Sequence, residues 1–277
     1  MDNTQHKAPG AESPGFAGGL TDAEFSHVAS LVHRNTGIQL EAHKRQMVQA
    51  RISRRLRILN LKGFAEYLHF LSTTPEEVEH FTNALTTNLT AFFREEHHFD
   101  NLRDTLSART HSKLRIWSAG CSSGEEPYSI AMILNDLPYL NRCDAKILAT
   151  DIDTVALATA QKGQYPIEKR TPIPTAYDRF LEVHSDHFSC SQDIRNLITF
   201  KRLNLMEAWP FGQLFDIIFC RNVIIYFDKP TKTKLISRFV DQLTSGGLLF
   251  LGHSETLIDD IPNLRSLGKT MYRKEAA

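Results

Sequence analysis

The sequence predicts an α/β protein in which a small all-helical N-terminal domain precedes a mostly parallel sheet. Apolar residues recur at helical spacing between Thr21 and Thr86, with no strand-like alternation between the segments. From Lys113 onward, short apolar runs alternate with helical stretches, the order typical of a parallel sheet covered by helices on both faces. Because 42% of the 277 residues are hydrophobic and 23% are charged, the composition is that of a folded globular protein.

Residues 1–20 are rich in glycine, proline and small polar side chains. We expect them to form a disordered tail, because they cannot bury enough apolar surface to offset the entropy of ordering. Thr21 followed by Glu24 is a capping-box pattern, which predicts the start of the first helix. Three more helices are expected over about 42–59, 64–71 and 75–86. We assign residues 21–87 to the helical domain and residues 88–112 to a linker.

The α/β domain is expected over residues 113–277. Its strands are predicted at 114–119, 145–150, 197–203, 215–220 and 248–252, and its helices at 125–137, 154–162 and 230–243. One stretch departs from the alternation: Asp186–Cys190 and Ile194–Phe200 have strand patterns on either side of Ser191-Gln192-Asp193. We therefore predict a small antiparallel β insertion over residues 166–200.

Charge and cysteine content narrow the classes of function. Lysine plus arginine and aspartate plus glutamate each number 32, so the formal net charge is 0 and nucleic acid is not expected as a partner. The four cysteines contain no C-x-x-C pair and the N-terminus lacks the layout of a signal peptide, so we expect a cytoplasmic protein with reduced thiols. No apolar run approaches the roughly 20 residues that span a bilayer, which argues against an integral membrane protein.

A cofactor site is predicted where the first two strands of the α/β domain end. The first strand runs into a small-residue loop with Gly120 and Gly124, which matches neither the dinucleotide-binding G-x-G-x-x-G pattern nor a P-loop. Glu125 and Glu126 follow at a helix N-terminus, where they would repel a phosphate. The second strand ends in Asp151, placed to accept hydrogen bonds from ribose hydroxyls.

These features indicate a nucleoside that carries positive charge, such as S-adenosylmethionine. Two plainer interpretations stay open at this point. The loop after the first strand has the composition of an ordinary turn. An Asp-x-Asp sequence can also be a helix cap, and we assign that role to Asp153, which leaves Asp151 for the ligand.

Six strings of residues resemble the chemotaxis protein methyltransferases, the CheR family. They are Thr86–Glu95 (TTNLTAFFRE), Gly124–Ser129 (GEEPYS), Ala149–Asp153 (ATDID), Phe219–Phe227 (FCRNVIIYF), Gly246–Phe250 (GGLLF) and Gly252–Glu255 (GHSE). The resemblance extends over nearly all of the chain after the N-terminal tail. It implies a methyltransferase (Rossmann-like) sheet domain over residues 113–277, to which the linker contributes part of the cofactor site.

The resemblance also implies an activity. That family transfers a methyl group from S-adenosylmethionine to glutamate side chains on the cytoplasmic helices of chemoreceptors, giving a glutamate methyl ester and S-adenosylhomocysteine for sensory adaptation. This chain is therefore expected to be a protein-glutamate O-methyltransferase. The cofactor contacts implied by the motifs are Asn88, Thr90, Arg94, Glu125, Asp151, Asn204, Leu205, Arg221 and Asn222.

The chemistry of methyl transfer indicates what Arg94 and Tyr226 could do. A glutamate is already an anion at neutral pH, since its reference pKa is about 4.3, so methyl transfer to it needs positioning and no general base. We expect Arg94 and Tyr226 to position the reacting groups, although Arg94 and Glu95 could instead be a surface ion pair. Phe92 and Phe93 are interpreted as packing residues. His253 has no histidine or cysteine at metal-ligand spacing, so no metal is expected.

The second helix carries a basic segment. Residues 41–62 contain seven lysines and arginines against one acidic residue, and Arg51, Arg54 and Arg57 gather on one face. We expect this face to dock the acidic receptor, with a solvated basic face as the plainer interpretation. The expected partner is the cytoplasmic domain of a chemoreceptor. Contact with the membrane is expected only through the receptor, and the protein is expected to be a monomer.

Two rival functions stay open at this stage. The basic segment could belong to a methyltransferase that acts on nucleic acid, although no base-stacking motif accompanies it. The chain could also be a non-catalytic module that retained the cofactor fold. The insertion raises a further point, since some members of the family bind a receptor tail at its sheet edge through a glycine-containing hairpin. This chain has no glycine between Gly163 and Gly212, so weak or absent tail binding is expected.

Overall fold

A computed structural model of the chain describes residues 19–108, 112–257 and 261–276. Most of the tail expected over residues 1–20 lies outside the described residues. Leu20 is described, and it differs from the expectation for that tail: its side chain is buried among the helices, and its backbone N–H donates to Gln49 over 3.2 Å. Leu20 therefore does not belong to the expected disordered tail, because its side chain packs onto the helical core.

Four helices form the N-terminal unit. They are α1 (Asp22–Thr36), α2 (Arg45–Leu59), α3 (Phe64–Thr73) and α4 (Pro75–Leu85). The capping box at the start of α1 is confirmed, since Thr21 Oγ1 accepts from the backbone N–H of Glu24 while the Glu24 carboxylate accepts from the backbone of Thr21. A short 3₁₀ turn over Ala42–Lys44 precedes α2. Val28, Ile52 and Phe81 are buried in the core between these helices.

The rest of the described chain is an α/β unit. Its helices are α5 (His97–Ser107), α6 (Glu125–Asp136), α7 (Thr154–Lys162), α8 (Gln192–Arg195) and α9 (Lys229–Gln242). Its strands are β1 (Lys113–Ala119), β2 (Asp144–Asp151), β3 (Gln164–Pro166), β4 (Leu181–Val183), β5 (His187–Cys190), β6 (Ile198–Arg202), β7 (Phe215–Cys220), β8 (Leu243–Leu251), β9 (Leu264–Gly268) and β10 (Met271–Lys274). Helix α5 lies in the predicted linker, and β9 and β10 were not predicted.

The main sheet has seven strands in the order β6-β2-β1-β7-β8-β10-β9. The pairs from β6 to β8 are parallel, and β10 is antiparallel to both of its neighbours. The central strands are apolar on both faces, as a sheet covered on both sides requires. On one face Phe219 and Phe250 stack with ring centroids 4.4 Å apart, while Trp117 is buried in the separate cluster on the other. The predicted fold class is confirmed.

The antiparallel insertion exists, but the predicted hairpin within it is wrong. A second sheet has the order β3-β5-β4, and its tight turn lies at residues 184–186. Ile194–Phe200 does not pair with β5: β6 runs parallel to β2 in the main sheet, and Ser191 precedes the short helix α8. The physical reason is burial, because Ile198 and Phe200 pack against Ala149 of β2 and Leu157 of α7.

None of the helices in the described residues has the length and hydrophobicity required to span a lipid bilayer.

Candidate active site

A cleft with about 1120 Å³ of open space lies at the carboxyl ends of β1, β2 and β7. In an open parallel sheet this edge is where ligands bind. Helices and loops of the N-terminal unit form the opposite wall, with Thr36, Ile38, Lys44 and Met47. The structure brings together in this cleft nine of the residues predicted from the sequence: Asn88, Thr90, Arg94, Asp151, Asn204, Leu205, Arg221, Asn222 and Tyr226.

Asp151 ends β2 and is held by the backbone. Its Oδ2 accepts from the N–H of Ser122 over 2.7 Å, and its Oδ1 accepts from the N–H of Asp153 over 2.9 Å. Burial raises the pKa of Asp151. These hydrogen bonds lower it, but the effect of burial is larger. A carboxylate has about four acceptor sites, so two accepted bonds leave Asp151 with capacity for hydroxyls of a ligand in the cleft.

Glu125 was expected in the cleft, and the structure does not place it there. Its side chain is fully buried, forms an ion pair with Lys169 of the insertion and accepts from Ser123 Oγ over 2.7 Å. Glu126 lines the cleft instead. The reason is helical geometry, because neighbouring residues in the first turn of α6 point about 100° apart. Sequence spacing alone therefore could not decide which of the two glutamates lines the cleft.

Glu126 connects β1 to the first residue after β7. Its Oε1 accepts from Ser118 Oγ over 2.7 Å and its Oε2 from Arg221 Nη1 over 3.1 Å. Burial raises the pKa of Glu126, and the charge of Arg221 opposes that rise. The cleft thus carries the carboxyl groups of Glu126 and Asp151 beside the cationic side chains of Lys44, Arg94 and Arg221.

Asp153 ties the linker to the end of β2. Its Oδ1 accepts from the backbone N–H groups of Val155 and Ala156, which confirms its expected role as the N-cap of α7. Its Oδ2 accepts from Thr86 Oγ1 and from Asn88 Nδ2, each over 2.6 Å. Asn88 therefore lines the cleft in a fixed orientation, with its amide N–H already donated to Asp153.

Arg94 is half-buried and lines the cleft. Its Nη1 donates to the backbone carbonyl of Leu89 over 2.7 Å. Phe92 and Phe93 are buried packing residues, as expected, and Phe93 stacks on Tyr177 with centroids 5.0 Å apart. The alternative of an Arg94–Glu95 surface pair is wrong, because Glu95 turns inward to other partners.

Arg221 is buried, and besides Glu126 it contacts three other groups around the cleft. Its Nη2 lies 3.1 Å from Glu95 Oε2 and also donates to the backbone carbonyl of Arg94, while its guanidinium lies over the ring of Phe99 at 5.3 Å. Burial alone would raise the pKa of Glu95, but a hydrogen bond from His253 and the charge of Arg221 lower it to about 2. Glu95 is therefore an anion throughout the physiological range.

Tyr226 lies where the N-terminal unit meets the sheet domain. Its backbone carbonyl accepts from the N–H of Gln39 over 2.8 Å, and Lys44 Nζ lies 5.4 Å from the centroid of its ring. Both contacts come from the segment between α1 and α2. The tyrosine therefore faces the cleft in a position that depends on the packing of the two units.

Asn204 and Leu205 follow β6. The Asn204 side chain donates to the backbone carbonyl of Asn35 over 2.7 Å and accepts from the N–H of Met206 over 3.0 Å. Leu205 is buried, and its carbonyl accepts from Arg238. These bonds join α1 to the segment after β6, so Asn204 holds the cleft wall together as well as lining it.

The three arginines expected on one docking face separate. Arg54 and Arg57 are exposed on α2. Arg51 is half-buried, and its guanidinium donates to the backbone carbonyls of Ala84 and Thr86 at the end of α4. Helical periodicity places a side chain on a face but does not predict which backbone carbonyls a long side chain reaches.

Three acidic residues of the site were not among the predicted contacts: Glu95, Glu126 and Glu255. All three stand inside strings that resemble the family, so the signal was available. Glu255 is buried, and its carboxylate accepts from the backbone N–H groups of Asn222, Ile225 and Gly252. The string Gly252–Glu255, which ends in this glutamate, was the sequence signal for its place at the site.

Comparison with known proteins agrees with this geometry. The family model described as "CheR methyltransferase, all-alpha domain" matches residues 23–86, and "CheR methyltransferase, SAM binding domain" matches residues 88–272. Chemotaxis protein methyltransferase 2 of Pseudomonas aeruginosa is 45% identical over 260 residues, covering 91% of this chain and 93% of that protein. The chemotaxis protein methyltransferases of Salmonella typhimurium and Escherichia coli are 42% and 41% identical, each over 91% of this chain and over 90% and 91% of those proteins.

Proposed function

The chain belongs to the CheR methyltransferase family, and from this membership we propose that it methylates glutamate side chains on the cytoplasmic helices of chemoreceptors. It is an S-adenosylmethionine-dependent methyltransferase of chemotaxis. The proposed products are a glutamate γ-methyl ester and S-adenosylhomocysteine. The observation that carries the proposal is the shared cleft, in which Asp151 lies with the two proposed positioning side chains, Arg94 and Tyr226.

The cleft carries carboxyl groups that suit S-adenosylmethionine. Asp151 and Glu126 on its walls match a ligand that carries a sulfonium and an ammonium group. We assign Asp151 to the ribose hydroxyls. Asn88, Thr90, Asn204, Leu205, Arg221 and Asn222 complete the proposed set of cofactor contacts, and Glu126 takes the place that the sequence assigned to Glu125.

Bound S-adenosylmethionine supplies an electrophilic methyl group, and the protein then has to bring a carboxylate to it. A receptor glutamate is ionised at neutral pH, so no side chain of this protein has to remove a proton. Arg94 is proposed to bind a carboxylate in the cleft, either that of the substrate glutamate or that of the methionine moiety, through two parallel N–H donors. The Tyr226 hydroxyl is proposed to orient the reacting groups. Such orientation can lower a barrier by about 7–11 kcal/mol.

The walls of the cleft support the same chemistry. Attack of an anion on a cation disperses both charges in the transition state, so strong solvation of the separate ions opposes the reaction. Ile38, Leu40 and Met47 from the N-terminal unit face the sheet edge across the cleft. These apolar side chains are proposed to exclude water when a receptor helix covers the opening.

The exposed arginines of α2 are proposed to dock the receptor. Arg54 and Arg57 present positive charge to solvent, and a bundle of acidic helices is the complementary surface. Arg51 has a different proposed role, since it holds the end of α4 and the start of the linker in place. Docking to receptors in the cytoplasm requires no membrane contact by the protein itself, and a monomer is sufficient for it.

The decisive experiment is methylation of a receptor cytoplasmic fragment with S-adenosylmethionine labelled in the methyl group. The expected result is label on the fragment that is released by mild alkali, as a carboxyl ester requires. A matched fragment with its candidate glutamates changed to glutamine should take up no label. Label that resists mild alkali would indicate N- or C-methylation, and label on added nucleic acid would support the rival substrate class. Either result would contradict the proposal.

A further inference from the structure

The loop after β7, residues 221–226, lines the cleft with Arg221, Asn222, Val223 and Tyr226. Asn222 has φ +59°, in the left-handed region that non-glycine residues seldom adopt. A conformation of this kind persists only where its surroundings hold it in place. The neighbours of Asn222 therefore decide the shape of this part of the cleft.

One neighbour holds the backbone of the loop. Glu255 Oε2 accepts from the N–H of Asn222 over 2.7 Å, and its Oε1 accepts from the N–H of Ile225 over 3.1 Å. The same Oε2 accepts from the N–H of Gly252 over 2.6 Å, which joins the loop to the end of β8. A Cβ atom at residue 252 would lie 2.6 Å from Asn222 Nδ2 and 2.8 Å from Glu255 Oε2, so glycine leaves the space that this contact needs.

A second carboxylate holds the side chains. Glu95 Oε1 accepts from Asn222 Nδ2 over 3.3 Å, and Glu95 Oε2 lies 3.1 Å from Arg221 Nη2. Glu95 also accepts from the backbone N–H of His253 over 3.1 Å, and its Oε1 lies 2.9 Å from His253 Nδ1. Glu95 and Glu255 thus reach Asn222 from segments more than a hundred residues apart in the chain, one at its side chain and one at its backbone.

We propose that Glu255 and Glu95 are positioning residues for methyl transfer, which set the loop of residues 221–226 in the shape that binds S-adenosylmethionine. Neither is among the residues that line the cleft, so both act through Arg221, Asn222 and Tyr226. This inference rests on the cofactor and catalytic roles proposed for those three residues. It also assigns a function to the Gly252–Glu255 segment.

The test is Glu255→Gln, which keeps the shape of the side chain but leaves one acceptor oxygen where two were needed. The NH2 group of the new glutamine then faces a backbone N–H group, and two donors cannot form a hydrogen bond. We expect the Kd for S-adenosylmethionine, measured by calorimetry, to rise at least about fivefold. We expect kcat for a receptor fragment to fall at least about tenfold per folded molecule, because the loop is displaced.

A matched control is available in Glu77→Gln. Glu77 is also a buried glutamate that accepts several bonds, from Arg55 Nε over 2.9 Å and from Tyr67 Oη over 2.9 Å, but it lies in the helical core away from the cleft. Glu77→Gln should lower the melting temperature and leave the Kd for S-adenosylmethionine within about twofold of the parent. A shift in Kd that depends on location, and not on stability, is the signature of positioning.

Two results would refute the positioning role. If Glu255→Gln binds S-adenosylmethionine with the parent affinity and keeps its kcat, the positioning role is refuted. If Glu255→Gln does not fold, Glu95→Gln takes its place, because it leaves the three backbone bonds of Glu255 intact, and an unchanged Kd and kcat there would equally refute the proposal. Calorimetry needs no receptor, so it distinguishes failure of this inference from failure of the proposed receptor substrate.

Discussion

Asp153→Ala is a sharp test of how the helical unit and the sheet domain are joined. The single carboxylate of Asp153 accepts from two backbone N–H groups of α7 and from two side chains of the preceding segment, Thr86 and Asn88. Asp153 is buried, and so are Thr86 and Ala156 among the residues that donate to it, whereas Asn88 and Val155 are exposed. The substitution therefore removes a helix cap and the anchor of the linker at once.

The size of the effect follows from these partners. Loss of an N-cap costs about 1 kcal/mol, and a polar group left unsatisfied costs about 1–3 kcal/mol. Thr86 adds little, because its hydroxyl has a second acceptor in the backbone carbonyl of Asn83 at 3.0 Å. Asn88 is exposed, so water replaces Asp153 at its Nδ2 and this donor adds little to the cost. The N–H of the buried Ala156 is left without its acceptor, so we expect the free energy of unfolding to fall by about 2 kcal/mol, the upper end for loss of an N-cap.

Urea denaturation at pH 7, followed by circular dichroism, measures this change. Asp228→Ala is the matched control, because Asp228 caps α9 through one bond to the N–H of Thr231 and anchors no linker. Its loss should be less than half of that at Asp153. Equal losses of unfolding free energy in the two variants would refute the reasoning, because the helix cap alone would then account for the effect of Asp153. Asp153→Ala should also raise the Kd for S-adenosylmethionine, because Asn88 is no longer oriented.

Four further predictions concern the proposed function. Arg94→Ala and Tyr226→Phe should each lower kcat at least about tenfold, with melting temperatures close to the parent. A lower melting temperature with the parent kcat per folded molecule would show that the side chain is structural. Asp151→Ala should weaken binding of S-adenosylmethionine in calorimetry, and an unchanged Kd would remove its ribose role. Arg54→Glu with Arg57→Glu should raise the KM for a receptor fragment and spare cofactor affinity, whereas kinetics of the parent that do not depend on salt would contradict docking by charge. Titration with an aromatic-acidic receptor C-terminal pentapeptide should show weak or no binding, and low-micromolar affinity would overturn the inference from the missing glycine.

Much of the fold followed from the sequence because its signals are local. The capping box at Thr21, the cap at Asp153 and the run Phe215–Cys220 each depend on residues within a few positions of one another, and the structure confirms all three. The cleft also followed, since the carboxyl ends of parallel strands meet at one edge of a sheet. Residues from four distant strings could therefore be expected to converge there.

Strand partners were decided by the tertiary structure. The residues 194–200 have a strand pattern that fits either a hairpin with β5 or a place beside β2, and only burial against Ala149 and Leu157 selects the second. A strand pattern states that a segment is extended but does not name its neighbour. The C-terminal strands β9 and β10 were missed for a related reason, because they are short and pair at one edge of the sheet.

Side-chain partners were decided in the same way. Glu125 turns to Lys169, Arg51 reaches the carbonyls of α4, and Glu255 binds the loop after β7, each across 30 or more residues of sequence. By itself the sequence determined the helices other than α5 and α8, the fold class and the cofactor. The packed structure alone decided which carboxylates face the ligand and which hold the cleft in shape, because long side chains choose partners by distance in space and not by position in the chain.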